Sequence, residues 1–316
     1  MVTRRAIPAR PHLDQYRKQA RDLLNGIARQ VPDALARVGQ HHPRLQGLAV
    51  PELRNATMKL ADAQLVIARE HGFDSWPKFS AHVQTLQGGP ADALQERIRA
   101  GEVELTIEVS GRRNARALVL FVLAGNVGRH HAGVREIATL FNRAGFCTVL
   151  ADLLTEDEDV EDAINEQLRY DIPLLANRML AVVDRFAGDA SFKPLPMGLF
   201  CSGTGGAAGM IIARQRSLLI RALVCSAGRP DLGGSALAWL AAPNLFIFGG
   251  EDTVGHGFMR TLQTVLPKHV PHRLDLIDGA GDRFDAGPHA TRAAALAQAW
   301  FEQYLCGNTS AAEVRS

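Results

Sequence analysis

The chain has 316 residues, 47% of them hydrophobic, and its 35 basic and 33 acidic side chains leave a net charge of +2. This length predicts two domains, and the apolar fraction is sufficient for a large core. Because the charge is nearly balanced, we expect neither a nucleic acid nor a membrane surface as a partner. The basic first residues are not followed by an apolar segment, and no apolar run approaches membrane-spanning length, so neither a signal peptide nor a transmembrane helix is expected.

The four cysteines of the chain are Cys147, Cys201, Cys225 and Cys306. They show neither a C-x-x-C spacing nor the density of a disulfide scaffold. Cys147 and Cys225 lie in apolar runs that are typical of buried strands. A reduced, cytoplasmic protein without a metal or another cofactor is therefore expected.

Residues 11–86 show only helical patterns. Apolar residues recur at helical spacing in 12–27, 34–38 and 58–69. The segment 60–73, followed by S-W-P-K-F over 75–79, is similar to a small helical module that precedes ankyrin repeats or other domains in bacterial proteins. The similarity implies a packing or interaction module, and we expect any protein partner to bind through 11–86.

A cluster of residues that break helices and strands, Q-G-G-P, occupies positions 87–90. It marks the boundary between the two halves. We predict a helical module over 1–87, a linker over 88–102, an α/β domain over 103–306 and a flexible tail over 307–316.

After this boundary, apolar runs alternate with helical patterns. The fully apolar run 118–123 is typical of a parallel strand that helices cover on both faces. Right-handed strand–helix–strand connections then give an α/β fold with a doubly wound, mostly parallel sheet. Strands are predicted at 104–109, 117–123, 146–150, 197–201, 222–225, 245–248 and 273–277, and helices at 134–143, 172–186, 207–216 and 290–304.

Five short segments of the second half stand out, namely F-N-R-A-G-F at 141–146, A-D-L-L-T at 151–155, Y-D-I-P-L-L-A at 170–176, G-R-P-D-L at 228–232 and F-G-G-E-D at 248–252. In their order and spacing they resemble the dienelactone hydrolase-like branch of the α/β-hydrolases. The resemblance covers roughly residues 104–305. It implies the α/β-hydrolase fold and, for an active member, the hydrolysis of esters or lactones.

The same resemblance implies a triad of nucleophile, acid and histidine in this order along the chain. The nucleophile elbow reads C-S-G-T-G over 201–205, so Gly203 stands at the nucleophile position. The acid position carries Asp252, and the histidine position carries Asp282. Glycine cannot attack a carbonyl, and an aspartate does not shuttle a proton at neutral pH unless its pKa is strongly raised. We therefore expect the standard triad to be inactive.

The resemblance also implies which residues surround the pocket. Leu123 and Ala124 stand where the family often has a His-Gly pair, and Gly125 and Asn126 follow them. The backbone N–H of Thr204 opens the helix after the elbow and could still bind an oxyanion. We expect the Thr204 hydroxyl to satisfy backbone donors of that helix.

Two arginines are further candidates for the pocket. Arg129 lies in the loop after the first long strand, where such loops border the pocket in the family. Arg229 follows another strand, at the edge where α/β sheets bind ligands. It would contact an anionic substrate or pair with Asp231. The acidic run 156–162 is expected to be a solvated loop and helix start.

Two rearrangements would rescue nucleophilic catalysis. Ser202 could act as a displaced nucleophile with Asp252 as the orienting acid, although neighbouring strand residues point to opposite faces, so Ser202 should point away from the Gly203 position. Cys201 could act instead, or be a small buried apolar residue. The base for Ser202 would come from His289, His256, His130 or His131.

A third alternative is a carboxylate pair, Asp252 with Asp282, sharing a proton or holding a cation. Arg283 beside Asp282 would instead favour a structural ion pair. From these observations we predict a hydrolase relative with a degenerate triad, which binds a small molecule in the inherited pocket or has altered chemistry. The alternatives are an ester or lactone hydrolase around Ser202 and Asp252, and a scaffold protein with a closed pocket and an exposed apolar patch on 11–86.

Overall fold

A computed structural model describes residues 5, 7, 11, 13–54, 56–86, 93–124, 128–284 and 287–307. The chain divides into two compact units, Met1–Ala91 and Asp92–Ser316. Each unit has its own apolar core.

The first unit is helical wherever it forms regular structure in the described ranges, as its periodicity predicts. Helix α1 buries Leu13, Tyr16 and Ala20 because these residues recur every three to four positions and share one face. Phe79 is fully buried and packs edge-on against Tyr16, with ring centroids 4.9 Å apart. The helices are α1 (Leu13–Ala28), α2 (Pro32–His41), α3 (Val50–Arg54), α4 (Leu60–Glu70) and α5 (Trp76–Leu86).

The second unit is built on an eight-stranded sheet with the order β1-β2-β4-β3-β5-β6-β7-β8. Strand β2 pairs antiparallel with β1 and β4, and the other pairs are parallel. All seven predicted strands form. The strands are β1 (Leu94–Ala100), β2 (Val103–Ser110), β3 (Ala117–Leu123), β4 (Phe146–Asp152), β5 (Met197–Gly203), β6 (Ile220–Gly228), β7 (Asn244–Gly249) and β8 (His272–Ile277).

Strand β1 corrects the predicted linker over 88–102. The strand lies within that segment and pairs along its whole length with β2, from Leu94 opposite Val109 to Ala100 opposite Val103. Only two of its side chains, Ile98 and Ala100, are buried, so the sequence shows no apolar run there. The units divide before this strand, at Ala91. Residues 308–316 of the predicted tail lie outside the described residues.

Helices connect the strands, and the four predicted ones all form. Two more, α7 and α10, follow β4 and β7. No helix within the described ranges is long and apolar enough to cross a membrane. The helices are α6 (Ala132–Arg143), α7 (Glu156–Asn165), α8 (Ile172–Gly188), α9 (Gly205–Gln215), α10 (Thr253–Val265) and α11 (Pro288–Phe301), with 3-10 segments at Leu168–Tyr170 and Pro230–Trp239 and a π-helical turn at Glu302–Cys306.

The core of the second unit lies on both faces of the sheet. Every residue of β3 is buried, and its side chains alternate between two apolar clusters. Residues of α8 and α9 complete one cluster, and residues of α6 and α11 complete the other. This confirms the predicted sheet with helices on both sides, which brings the carboxyl ends of the parallel strands to one edge.

Candidate active site at the carboxyl edge of the sheet

The predicted elbow is a sharp turn between β5 and α9. Strand β5 ends at Gly203, whose φ of +58° lies in the left-handed region, and α9 starts at Gly205. A side chain at position 203 would be strained in this conformation, and its Cβ would overlap the backbone carbonyl oxygen of Ala124. The turn therefore has the strained backbone of a nucleophile elbow but no room for a nucleophile's side chain.

Close packing around the elbow depends on further glycines. A Cβ at Gly205 would overlap the carbonyl oxygen of Val122, and one at Gly206 would lie 2.8 Å from Sγ of Cys225. Helix α9 can therefore begin almost in contact with β3 and β6. The Gly203 carbonyl accepts a 2.9 Å hydrogen bond from the Arg229 N–H, which ties the elbow to the end of β6.

Thr204 lies at the start of α9, and its predicted capping role is wrong. Its backbone is already helical, with φ −68° and ψ −15°, and its side chain caps no N–H of the helix. A capping side chain needs an extended backbone at this position, which explains the failure. The residue is only 5% exposed, and Oγ1 has no hydrogen-bond partner in the part of the chain that the structure describes.

Ser202 is half-buried and lines a small cavity, whereas the missing Cβ of Gly203 faces Ala124. The cavity measures about 20 Å³, and its wall includes His131 and Ser226. Of the four predicted bases, His131 is thus the one that shares a cavity wall with Ser202. This volume holds about one water molecule and excludes an ester or lactone.

Cys201 does not have the environment of a nucleophile. It is fully buried beneath α9, and burial raises the pKa of its thiol well above the usual value, with a further contribution from neighbouring Cys225. Burial likewise raises the pKa of the Cys225 thiol to about 12. A reactive cysteine needs a lowered pKa and access to solvent. Both residues are therefore small buried apolar residues.

The predicted acid, Asp252, follows β7 and begins α10. Its Oδ1 accepts a 2.8 Å hydrogen bond from the Gly255 N–H, so the carboxylate caps the helix. A Cβ at position 255 would overlap Oδ2 of Asp252, so this capping geometry requires the glycine.

Asp282 lies in the neighbouring loop after β8. The two loops are joined by backbone hydrogen bonds, Gly250 N–H to Ile277 O at 2.8 Å and Glu251 N–H to Ala280 O at 2.9 Å. Asp282 itself is exposed, and among the described residues it forms no hydrogen bond with Asp252 and no ion pair with Arg283. The hypotheses of a carboxylate pair and of an Asp282–Arg283 ion pair are therefore not supported.

The remaining predicted bases are distributed around the edge. His130 is 2% exposed. His256 lies in α10, with Nε2 buried and without a partner among the residues described here. Nε2 of His289, in α11, lies 3.8 Å from the Cβ position of Gly279. None of these histidines forms a hydrogen bond with Ser202 within the described ranges, so no nucleophile–base pair is assembled there.

The arginines predicted for the pocket are both held by carboxylates. Nε of Arg129 donates to Asp152, at the end of β4, and Nη1 of this buried arginine has no partner in the described chain. Arg229 pairs with both oxygens of Asp231, at 2.9 and 2.7 Å, which confirms the pairing alternative. Its guanidinium also lies 5.3 Å from the ring centre of Phe258.

The predicted loop after β3 is described only in part. Leu123 ends β3 and lies in register between Asp152 of β4 and Ser202 of β5. Ala124 follows, 7% exposed, and contributes the carbonyl that faces Gly203. Gly125 and Asn126 lie outside the described residues.

Sequence reasoning missed Asp152, Ser226 and Phe258. Asp152 and Ser226 lie at the carboxyl ends of apolar strands, where polar residues reach the binding edge, so their position was a usable signal. Phe258 lies in α10, which the sequence analysis did not predict. In the described part of the chain, no group of three or more His, Cys, Asp or Glu side chains could hold a metal ion.

Comparison with known proteins identifies relatives of the second unit. The profile of the Dienelactone hydrolase family matches residues 107–305. The crystal structure of dienelactone hydrolase from Anabaena variabilis is 33% identical, with a TM-score of 0.64 over 68% of this chain and 98% of that chain. Est1E from Butyrivibrio proteoclasticus is 12% identical, with a TM-score of 0.55 over 67% of this chain and 99% of that chain, and shares the fold.

Two proteins from Mycobacterium tuberculosis strains are also similar. Each is 32% identical over 235 residues, which cover 72% of this chain and 52% of the relative. Their names assign them provisionally to the phosphoribosyl transferases. The chain thus spans about half the length of these curated relatives.

Proposed function

This chain belongs to the dienelactone hydrolase family, and we propose that it is a member that has lost covalent hydrolysis and binds a small molecule at the carboxyl edge of its sheet. The observation that carries the proposal is the elbow. Gly203 has the strained backbone of the nucleophile position, and the Ala124 carbonyl fills the place of the nucleophile's side chain.

The other members of the triad support the same proposal. Asp252 caps α10, and Asp282, at the position of the family's histidine, is exposed. Losing one triad member already costs several orders of magnitude in rate, because the three act as a unit. A protein with two of the three replaced has no route to an acyl-enzyme through the standard positions.

The binding part of the proposal rests on the residues at the edge. Arg229 donates to both carboxylate oxygens of Asp231, and its guanidinium lies 5.3 Å from the ring centre of Phe258. Its backbone N–H bonds to the elbow. A fixed guanidinium beside an aromatic ring is suited to a ligand with a ring and an acceptor oxygen. The free thiols fit a reducing, cytoplasmic setting.

A second candidate, hydrolysis of esters or lactones through Ser202, is favoured by one observation. Ser202 and His131 line the same cavity, so a loop movement that admitted a substrate there would place it beside both a hydroxyl and an imidazole. Asp252 would have to leave its capping position to orient the histidine.

Hydrolysis of p-nitrophenyl acetate and of γ-butyrolactone separates the two candidates. We expect the rate with wild-type protein to equal that with the Ser202→Ala variant, and both to be near the uncatalysed rate. Ser226→Ala is the matched control, since this serine lines the same cavity from the next strand. A loss of at least about a thousandfold on Ser202→Ala alone would support the hydrolase and contradict the binder.

Binding without turnover is tested by thermal unfolding. Phenyl acetate, as an aromatic ester probe, should raise the melting temperature, because a ligand of the native state stabilises it. The shift should disappear in Arg229→Gln and persist in Arg292→Gln, which removes an exposed arginine of α11. An equal shift in both variants would place the ligand elsewhere.

For the helical unit, we propose a contact with another protein. Among the described residues of this unit, three large apolar side chains are exposed, Val31, Leu48 and Val50. Exposed apolar residues are common in partner surfaces. We do not infer a phosphoribosyl transferase activity from the names of the mycobacterial relatives, because about half of their length has no counterpart in this chain.

A further inference from the structure

The Ser202 cavity has a chemical character that hydrolysis does not explain. It lies between the ends of β5 and β6, the start of α6 and the loop after β8. Four of its lining residues have polar side chains, namely His131, Ser202, Ser226 and Arg283. No carboxylate lines it among the described residues. The wall therefore offers hydrogen-bond donors without a fixed negative charge.

The two hydroxyls of the cavity have no hydrogen-bond partner in the described chain. Ser226 is 2% exposed, so its hydroxyl meets little but the cavity. Buried polar groups in native proteins are almost always satisfied by protein, water or an ion. Two neighbouring strands thus place two hydroxyls, each able to bond an occupant, on the wall of one cavity of about 20 Å³.

The surrounding charges favour a negative occupant. Helix α6 begins beside the cavity with His131 as its first flanking residue, no side-chain cap and no acidic residue in its first turn. Its amino end therefore carries an uncompensated partial positive charge. Arg283 is an exposed residue that contributes to the cavity wall, and it forms no ion pair with another described residue. The nearby carboxylates point elsewhere, since Asp252 caps α10 and Asp282 is exposed.

The rim of the cavity also contains backbone strain. Ala227 has a φ of +49°, which a residue with a side chain rarely adopts. Such residues persist where the surrounding structure holds them, and they cluster at ligand sites. Here the strained residue follows Ser226 and is itself part of the cavity wall.

We propose that this cavity binds one small monovalent anion, held by the hydroxyls of Ser202 and Ser226, the Arg283 guanidinium and the amino end of α6. The volume suits a halide or the end of a carboxylate group and excludes a larger oxyanion such as phosphate. This anion site goes beyond the proposed function and does not depend on it.

Line broadening of the ³⁵Cl NMR signal tests the proposal with chloride itself as the probe. Wild-type protein should broaden the signal in a saturable way, and bromide should displace the chloride. Arg283→Gln should weaken the apparent affinity by about tenfold or more, because it removes a charged donor. Ser226→Ala should weaken it less, and Arg292→Gln, an exposed arginine of α11, should leave it unchanged.

A crystal grown in bromide gives a second readout that does not depend on the folding of variants. An anomalous peak inside the cavity supports the proposal. Displacement of chloride by formate would identify the natural occupant as a carboxylate group, and its failure would identify a halide. Absence of saturable broadening, or equal broadening in wild type, Arg283→Gln and Ser226→Ala, would overturn the proposal.

Discussion

The elbow after β5 and the acid turn after β7 differ in what the structure constrains. At the elbow, the backbone has the strained conformation that a nucleophile position needs, and the residue there is Gly203. At the acid turn, the carboxylate of Asp252 is present, but it caps a helix. The comparison teaches that the fold constrains the backbone of one turn and the side chain of the other, and neither constraint requires catalysis.

The elbow is the less tolerant of the two turns. Its neighbours approach so closely that any Cβ at Gly203 or Gly205 would overlap backbone of β3 or of the residue after it. Packing alone therefore accounts for the glycines. At the acid turn, a single hydrogen bond accounts for Asp252, and other residues with a short polar side chain could make it.

Gly203→Ser is expected to have the largest effect. The positive φ and the overlap with the Ala124 carbonyl should lower the free energy of unfolding by about 3 kcal/mol. Denaturant unfolding measures this loss. Gly234→Ala is the matched control, since Gly234 has a φ of +53° and no atom within 4 Å of its Cβ position. If both variants lose the same free energy of unfolding, the positive φ alone accounts for the loss and the overlap with the Ala124 carbonyl contributes nothing.

Glu158→Gln addresses a third turn of this kind, between β4 and α7. Glu158 completes a capping box with Thr155 and accepts hydrogen bonds from Arg178 at 2.7 and 2.6 Å. Removing the charge should cost about 1.5–3 kcal/mol at neutral pH. The result would show whether carboxylates at these turns serve stability in general.

The pH dependence of that loss has a definite sign. The Arg178 hydrogen bonds hold the pKa of Glu158 below its usual value of 4.5. Its contribution is therefore complete above about pH 4.5 and is lost as the pH falls through the lowered pKa. Wild type and Glu158→Gln should converge in acid, and a constant difference down to pH 2 would contradict this assignment.

Asp252→Ala should destabilise the protein by about 1 kcal/mol, the usual cost of removing a helix cap. Asp252→Asn keeps an accepting oxygen and should restore most of this loss. Thermal unfolding of the two variants distinguishes a capping role from a catalytic one. An amide oxygen can accept the capping hydrogen bond, whereas it cannot do the work of a catalytic carboxylate. Equal destabilisation by both variants would contradict the capping role.

Thiol labelling should show the smallest effect, namely none at Cys201 and Cys225 in the native protein. With a pKa of about 12, only about one Cys225 thiol in ten thousand is ionised at pH 8. Iodoacetamide should modify Cys306, which is partly exposed, and reach the two buried thiols only in denaturant. Rapid native labelling of Cys201 would make it a candidate nucleophile again.

Sequence reasoning predicted the parts of the fold that depend on apolar runs. The central strands were predicted because every residue of a strand such as β3 is buried. Strand β1 was missed because it lies at the sheet edge and buries only two side chains. Helix α10 was missed because glycines at 255 and 257 weaken its helical pattern.

The candidate site was predictable where the family resemblance assigns residues to positions. It was not predictable where contacts between distant parts of the chain determine burial and packing. The glycine at the nucleophile position, Gly203, follows from the motif. The burial of Asp162 could not be predicted from the local sequence, because its ion-pair partner, Arg169, lies seven residues later. Part of the acidic run that was predicted to be solvated is therefore a buried ion pair. The overlap of position 203 with the Ala124 carbonyl depends on how closely β3 and β5 pack, which no local pattern reports.

The most direct test of the central claim is the intact mass of the protein after treatment with a fluorophosphonate probe. Because Gly203 has no nucleophile and Ser202 lines a cavity that excludes the probe, we predict an unchanged mass at a tenfold excess of probe. Stoichiometric addition of one probe, mapped to Ser202 and absent in Ser202→Ala, would contradict the claim and show that a nucleophile operates beside the elbow.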